Sequence, residues 1–260
     1  MSKDFIKEYW ENQGAVHGGS HWASWGDNWM IDLEIDTIGT YIKDGDSVLD
    51  IGCANGYATL RQAETNKLSS IIGVDFAANM VHEAQKLKLE RGLGDDISFM
   101  EGDVRSLQFP DNSFDVAYTT RVLINLPSWE LQMQGIDECI RVVKPNGTVV
   151  LSEGFWEPMV LLNAMRALKS LSPLVEHDFN RYLKLSALEK YLKERGLVYR
   201  VDDFSSIYYL GSRFLRELVT DPTDYPGFTN PINKLFFEIE KKFSGGGFGI
   251  QQAVIIKKAS

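Results

Sequence analysis

A carboxylate and two glycines stand together in the segment Val48-Leu49-Asp50-Ile51-Gly52-Cys53-Ala54-Asn55-Gly56. An apolar run leads straight into a glycine-bearing bend, and a helical pattern follows. Glycine lets backbone approach a ligand without a Cβ clash. The start of the helix behind the bend supplies unpaired N–H groups. Such a bend forms at the carboxyl end of a strand, where open α/β sheets bind their ligands. The spacing is not the G-x-G-x-x-G of dinucleotide enzymes, and no Gly-Lys-Ser/Thr follows as in a P-loop. A carboxylate two residues before the first glycine suits a ligand led by a cationic ammonium, such as a methionine-type amino group, not one led by phosphates.

Three further acidic positions follow, each at or just after an apolar run. Asp75, in Gly73-Val74-Asp75-Phe76, ends the next apolar run and can accept hydrogen bonds from two ribose hydroxyls. Asp103, in Glu101-Gly102-Asp103-Val104, follows the third run, where its side chain and a neighbouring N–H can read an adenine edge. Phe114-Asp115-Val116-Ala117-Tyr118 then leads into Thr119-Thr120-Arg121-Val122.

The elements that must position these residues follow from periodicity. Strands are expected at 47–51, 71–74, 97–100, 114–118 and 147–152, the last after a KPNG turn. Helices are expected at 57–65, 77–90 and 129–142. Strands alternating with helices imply parallel βαβ units with right-handed crossovers. Before this region, residues 28–43 read as an amphipathic helix behind the glycine-punctuated loop GGSHWASWGD. After it, 159–171 and 185–194 read as helices, and 197–204 and 252–256 as strands. Between those strands lies a long connection with YYLGSRFLREL, a DPTDYPGF turn and a helix at 232–242. A connection of that length is often a functional cap.

Composition narrows the classes. The chain has 260 residues, 44% of them hydrophobic and 24% charged, as in an ordinary globular α/β protein. A net charge of −9, with no Lys/Arg stripe, argues against tracking nucleic acid. Cys53 and Cys139 form neither a disulfide framework nor a metal spacing, so a reducing, cytoplasmic setting without a metal is expected. The polar, aromatic N-terminus lacks the apolar run of a signal peptide, and no apolar stretch of about 18 residues suggests a membrane span.

Taken in order, these motifs resemble the class I S-adenosylmethionine (SAM)-dependent methyltransferases, of the methyltransferase-domain type acting on small molecules. VLDIGCANG is similar to that family's SAM-binding loop, with Ala54 where a middle glycine is usual. The resemblance covers about residues 45–155. It implies a Rossmann-like α/β fold with a mostly parallel seven-stranded sheet and helices on both faces. The expected organisation is an N-terminal arm and lid helix at 1–44, a SAM-binding core at 45–204, a cap insertion at 205–247 and a last core strand at 248–260. It further implies that Asp50, Gly52 and Gly56, with Cys53 and Asn55, surround the methionine part of SAM. Asp75 would hold the ribose, Phe76 and Met80 would pack near the adenine, and Asp103 and Val104 would read its amino edge. Thr120 and Arg121 would sit near the methionine tail or the mouth of methyl transfer.

Trp22 and Trp25, in the tryptophan-rich loop, are candidates for a lid over SAM that keeps water out. Arg181 and Arg213 are candidates for an anion clamp, to which the planar guanidinium is suited. Asn125, Tyr208 and Tyr209 are further candidates for the acceptor pocket, and His21 has the best claim among the four histidines to a catalytic role. The C-terminal run is similar to methyltransferases of bacterial surface-polysaccharide pathways. The expected activity is therefore methyl transfer to a small polar metabolite, to oxygen, with a sugar-like, phosphorylated or otherwise anionic acceptor. S-adenosylhomocysteine (SAH) is the product. No nucleic-acid or membrane partner is expected, and monomer and homodimer stay open. The alternatives are an N-methyltransferase acting on a small amine or tRNA, a catalytically silent SAM-binding protein, and a nucleotide-dependent oxidoreductase. The missing G-x-G-x-x-G counts against the last, and TTRVLINLP, in place of an Asn/Asp-Pro-Pro-aromatic motif, counts against adenine N-methylation.

Overall fold

Strand β1 (Ser47–Ile51) is buried almost throughout because both of its faces are covered. The computed structural model describes residues 3–220 and 227–259. Most of the expected DPTDYPGF turn, positions 221–226, lies outside the described residues. Ahead of β1 come helices α1 (Lys3–His17) and α2 (Asn28–Gly39). After it the chain alternates α3 (Tyr57–Thr65), β2 (Ser70–Asp75), α4 (Ala78–Glu90), β3 (Ile97–Glu101), β4 (Phe114–Thr120), α5 (Trp129–Val142) and β5 (Val143–Gly154). Then follow α6 (Trp156–Ala167), α7 (Leu185–Glu194) and β6 (Val198–Asp202). Short helices α8 (Ser206–Leu210), α9 (Arg216–Val219) and α10 (Asn233–Glu240) lead to β7 (Gln251–Lys257).

The strands form one seven-stranded sheet in the order β3-β2-β1-β4-β5-β7-β6. All pairings are parallel except those of β7, which runs antiparallel to β5 and β6. Strand order reverses between β1 and β4, so the crevice for a ligand opens at their carboxyl ends. One face packs Val48, Ile71, Tyr118 and Val150 against α2, α3, α4 and the C-terminal helices. The other packs Leu49, Ile51, Ala117 and Leu151 against α5 and α7. No helix among the described residues is long and apolar enough to cross a membrane.

Several expectations shift. Helix α1 was not anticipated from its polar sequence, because tertiary contacts hold it. Glu11 accepts from the Ala78 N–H (2.9 Å) and the Asn79 N–H (2.8 Å), capping α4, whose own N-cap Ala77 has no side chain to do so. Helix α2 ends at Gly39 rather than at 43. The KPNG turn is absorbed into β5 as an irregularity, with Asn146 at φ 64° and a register shift against β4. The predicted helix at 159–171 starts earlier and ends at Ala167. Within YYLGSRFLREL, residues Gly211–Leu215 widen into a π-helical turn. A Cβ on Gly211 would lie 2.1 Å from the Phe236 ring, so glycine is what lets α10 pack there.

Candidate active site

A cavity of about 770 Å³ opens over the carboxyl ends of β1 and β4. Its first part is built by the bends after the strands. Gly52 (φ 81°) and Ala54 (φ 46°) turn the chain after β1, and their backbone faces the cavity. The glycine also serves the protein's own packing, because a Cβ at Gly52 would lie 2.0 Å from Val122 Cγ2. Gly52→Ala is therefore expected to lower stability by about 1–3 kcal/mol through overpacking and backbone strain. An unchanged denaturation midpoint would refute this account of the bend.

Asp50 is buried, with Oδ2 accepting from Thr59 Oγ1 at 2.5 Å. Its Oδ1 has no hydrogen-bond partner. The Tyr118 hydroxyl, near enough to help hold the Asp50 pKa down, also ends without a well-formed hydrogen bond. Burial nevertheless pushes the Asp50 carboxyl up to about 7. Asp75 accepts from the Ala54 N–H and the Ala77 N–H, each at 2.9 Å. Each oxygen keeps a further lone pair, and burial raises this carboxyl to about 6. Asp103 is bound by Arg105, whose Nε donates to Oδ1 at 2.8 Å and whose Nη2 donates to Oδ2. Asn55 spends its amide on the carbonyls of Gly18 and Ser20, both at 2.7 Å, and so ties the N-terminal arm to the bend.

The bend after β4 is held by a carboxylate. Glu153 Oε1 accepts from Thr119 Oγ1 (2.7 Å), the Val122 N–H (3.1 Å) and the Leu123 N–H (3.0 Å), and Oε2 from the Ile124 N–H (3.3 Å). This lets Arg121 adopt φ 56° and turn its guanidinium over the Trp25 ring, 4.6 Å from the centroid. Its Nε stands 3.6 Å from Glu34 Oε2.

Beyond Arg121 lies a second chamber. Trp25 meets Phe228 with ring centroids 5.8 Å apart, and Arg213 lies 4.8 Å above Phe228 and 5.4 Å from Tyr209. Arg213 Nη2 is paired with Asp27 at 2.5 Å, and Asp27 also accepts from the Tyr208 hydroxyl at 2.5 Å. Ile6, Tyr9 and Trp10 of α1 supply one wall, closed against Phe179 by ring contacts at 4.7 Å (Tyr9) and 6.1 Å (Trp10).

The cavity thus brings together Trp25, Asp50, Gly52, Cys53, Asn55, Asp75, Phe76, Asp103, Val104, Thr120, Arg121, Asn125, Tyr209 and Arg213. Six expected residues do not line it. Gly56 packs under Ala84 and Phe99, where a Cβ would meet both at 2.8 Å. Met80 is fully buried with Ala23 and Ala77. Trp22 is 44% exposed and covers Gly26, and His21, its neighbour in the same 3-10 turn, packs against Trp22 and Tyr57. Arg181 lies outside the lining, and its Nη1 donates to the carbonyls of Asp178 and Asn180. Tyr208 is buried on Asp27. Sequence reasoning missed Glu34, Glu153, Asp27 and α1. Charged residues on amphipathic or strand-end segments read as solvent-facing, and only the fold reveals them as buried.

Residues 48–147 match the family model described as "Methyltransferase domain". A demethylmenaquinone methyltransferase of Desulfitobacterium hafniense (strain Y51) is 39% identical over 109 residues, 42% of this chain and 42% of that protein. A sterol 24-C-methyltransferase of Pneumocystis carinii (strain B80) is 33% identical over 107 residues, 41% of this chain and 27% of that protein. The chain spans less than half the length of these relatives. Among solved structures, Haemonchus contortus phosphoethanolamine N-methyltransferase 1, in complex with phosphoethanolamine and SAH, superposes with a TM-score of 0.63 at 17% identity. That likeness covers 98% of this chain and 48% of the other. The [4+2]-cyclase SpnF superposes with a TM-score of 0.57 at 20% identity, over 88% of this chain and 81% of the other. At these identities the structures speak for the fold alone.

Proposed function

We propose that this chain, which carries a class I SAM-dependent methyltransferase domain, transfers the methyl group of SAM to an oxygen of a small acceptor in the aromatic chamber. The observation that carries the reading is the continuity of one cavity from the β1 bend, past Arg121, to Trp25, Tyr209 and Phe228.

The residues present fit SAM. Asp50 Oδ1 is buried with no well-formed hydrogen bond among the described residues, and an ammonium group could supply one. Asp75 retains lone pairs for two ribose hydroxyls. Phe76 and Val104 line the cavity where an adenine would stack. SAM supplies an electrophilic methyl group, and the chain's own residues orient the acceptor, exclude water and take up the proton. Alignment alone contributes about 7–11 kcal/mol to such a transfer.

Charge refines the acceptor. Among the described lining residues, six are carboxylates (Glu34, Asp50, Asp75, Asp103, Glu176 and Asp178) and three are arginines (Arg105, Arg121 and Arg213). Each of those arginines already faces a carboxylate, in the pairs Arg105–Asp103, Arg121–Glu34 and Arg213–Asp27. This favours an uncharged, ring-bearing acceptor, sugar-like or aromatic, over a phosphorylated one. The same excess of acid supports a second reading, a small amine as acceptor. The wall made by α1 favours a small molecule over tRNA.

Calorimetry with SAH tests the reading. One SAH is expected to bind per chain in the micromolar range. The absence of any binding heat or thermal stabilisation by SAH would end it. Competition between hydroxyl and amine compounds for methyl transfer then separates the two acceptors.

A further inference from the structure

Glu34 stands in an unusual place. It lies on the inward face of α2 between buried Leu33 and Ile35, and only 2% of it is exposed. Burying a carboxylate there costs stability unless it is paired, and its pairing is one-sided. Oε1 accepts from Ser152 Oγ of β5, at 2.5 Å, and from Gln251 Nε2 of β7. Among the described residues, both hydrogen bonds go to Oε1 and none to Oε2. The Arg121 guanidinium stands beside it, 3.6 Å away at Nε, and that Nε makes no hydrogen bond among the described residues. Glu34 lines the cavity next to the aromatic chamber.

Apart from Asp178, the other carboxylates nearby face other groups. Asp27 holds Arg213 and Tyr208, Asp103 holds Arg105, and Glu176 accepts from the Tyr182 N–H. Asp50 and Asp75 stand at the strand ends that seat the cofactor. The groups that act on Glu34 from the packed elements are Arg121, Ser152 and Gln251, with Asp50 of β1 and Tyr118 of β4 sensing its charge. Burial raises its carboxyl above the ordinary glutamate range, against the pull of Arg121, Ser152 and Gln251. That direction moves a carboxylate toward the pKa a general base needs near neutral pH.

We propose that Glu34 Oε2 takes the proton from a neutral ring hydroxyl bound in this chamber, which makes ring-bearing hydroxyl compounds the acceptor class. The proposal rests on the methyl-transfer reading above. As the acceptor O–H bond breaks toward Glu34, a bond forms between the acceptor oxygen and the methyl carbon. The bond from that carbon to sulfur breaks, and its electron pair stays on sulfur. The proton then leaves Glu34 to solvent. Arg121 faces the same space and favours the oxygen as it gains negative charge.

The test uses 4-nitrophenol, whose neutral and ionised forms absorb at different wavelengths, bound to the full chain saturated with SAH. In the wild-type protein the probe donates to Glu34 and is held neutral, with its apparent pKa raised above that of the free compound. In Glu34→Gln the carboxylate is gone and Arg121 remains, so the bound probe's pKa falls by about 1–3 units relative to wild type. With a hydroxyl acceptor, the same variant loses methyl transfer by about 10²–10⁴-fold, while SAH binding stays within about twofold. Equal probe pKa values in the two proteins, a probe bound ionised in the wild type, or a probe that does not bind would each overturn the proposal. If Glu34→Gln fails to fold, the wild-type titration decides alone. Loss of SAH binding by the wild type would sink the methyl-transfer reading itself, whereas normal SAH binding with an unresponsive probe sinks only the role of Glu34.

Discussion

Glu153→Ala is expected to lower stability by about 4 kcal/mol or more and to abolish SAH binding with it. Four donors converge on that carboxylate: one hydroxyl and three consecutive backbone N–H groups. Alanine leaves them facing a void in a fully buried position. Each unsatisfied buried donor costs about 1–3 kcal/mol, and water entering the void offsets only part of the sum. Against a typical domain stability of about 5–15 kcal/mol, the loss is large. The bend it organises carries Arg121 and the Val122 side chain that packs on Gly52, so the fault spreads to both parts of the cavity. Glu153→Gln separates the roles. An amide oxygen placed at Oε1 still meets Thr119, Val122 and Leu123, but the amide nitrogen meets the Ile124 N–H donor to donor. A loss of about 1–3 kcal/mol is expected for it. Urea denaturation of the two variants checks the order. A glutamine variant as unstable as the alanine one would mean that charge, and not the count of acceptors, holds the bend.

The strand-end half of the cavity was legible in the sequence because its features are local. A strand, a bend and a helix within VLDIGCANG fix where Asp50 and Gly52 lie, and Asp75 falls at the end of the next apolar run by the same rule. The sheet was legible for that reason too, since each buried strand is a short apolar run bounded by turn residues. The aromatic half was not legible, because it is assembled from residues far apart in sequence. Asp27 and Arg213 are 186 positions apart, and Glu34 and Gln251 are 217 apart. Within Asp32-Leu33-Glu34-Ile35-Asp36, nothing marks the middle carboxylate as buried and its neighbours as solvent-facing. Trp22 and His21 show the limit from the other side, since neither lines the cavity. Composition makes the tryptophan-rich loop look like a lid, but of the two tryptophans beside the 3-10 turn at His21–Ala23 only Trp25 lines the cavity. Helix α1 is held in place by Glu11, which caps α4 across space, a contact that no local pattern reports.

SAH binding is expected to tighten by about 10²-fold between pH 5 and pH 8, while the free protein loses stability over the same range. Both effects come from Asp50 and Asp75, whose carboxyls burial holds at about 7 and about 6. In the unfolded chain an aspartate titrates near 3.9. Between that value and the folded one, the folded state binds more protons than the unfolded state, so stability falls as pH rises. The contribution is whole below about pH 4 and is lost as pH passes through 6 and 7. Ligand reverses the sign. An ammonium beside Asp50 and ribose hydroxyls on Asp75 favour the ionised forms, so SAH binds the deprotonated protein best and releases protons when it binds at lower pH. The rise in melting temperature that SAH produces should therefore grow with pH, and calorimetry in buffers of different ionisation heat should count the protons released. Asp50→Asn keeps the shape of the site but removes the charge. It is expected to weaken SAH binding by about 10–100-fold at pH 8 and to flatten most of the pH dependence. A variant that binds as tightly as the wild type at pH 8, or keeps the full slope, would place the ammonium away from Asp50. The carboxylate at the tip of β1 would then be a packing residue, and the seat for the cofactor would have to be sought elsewhere in the cavity.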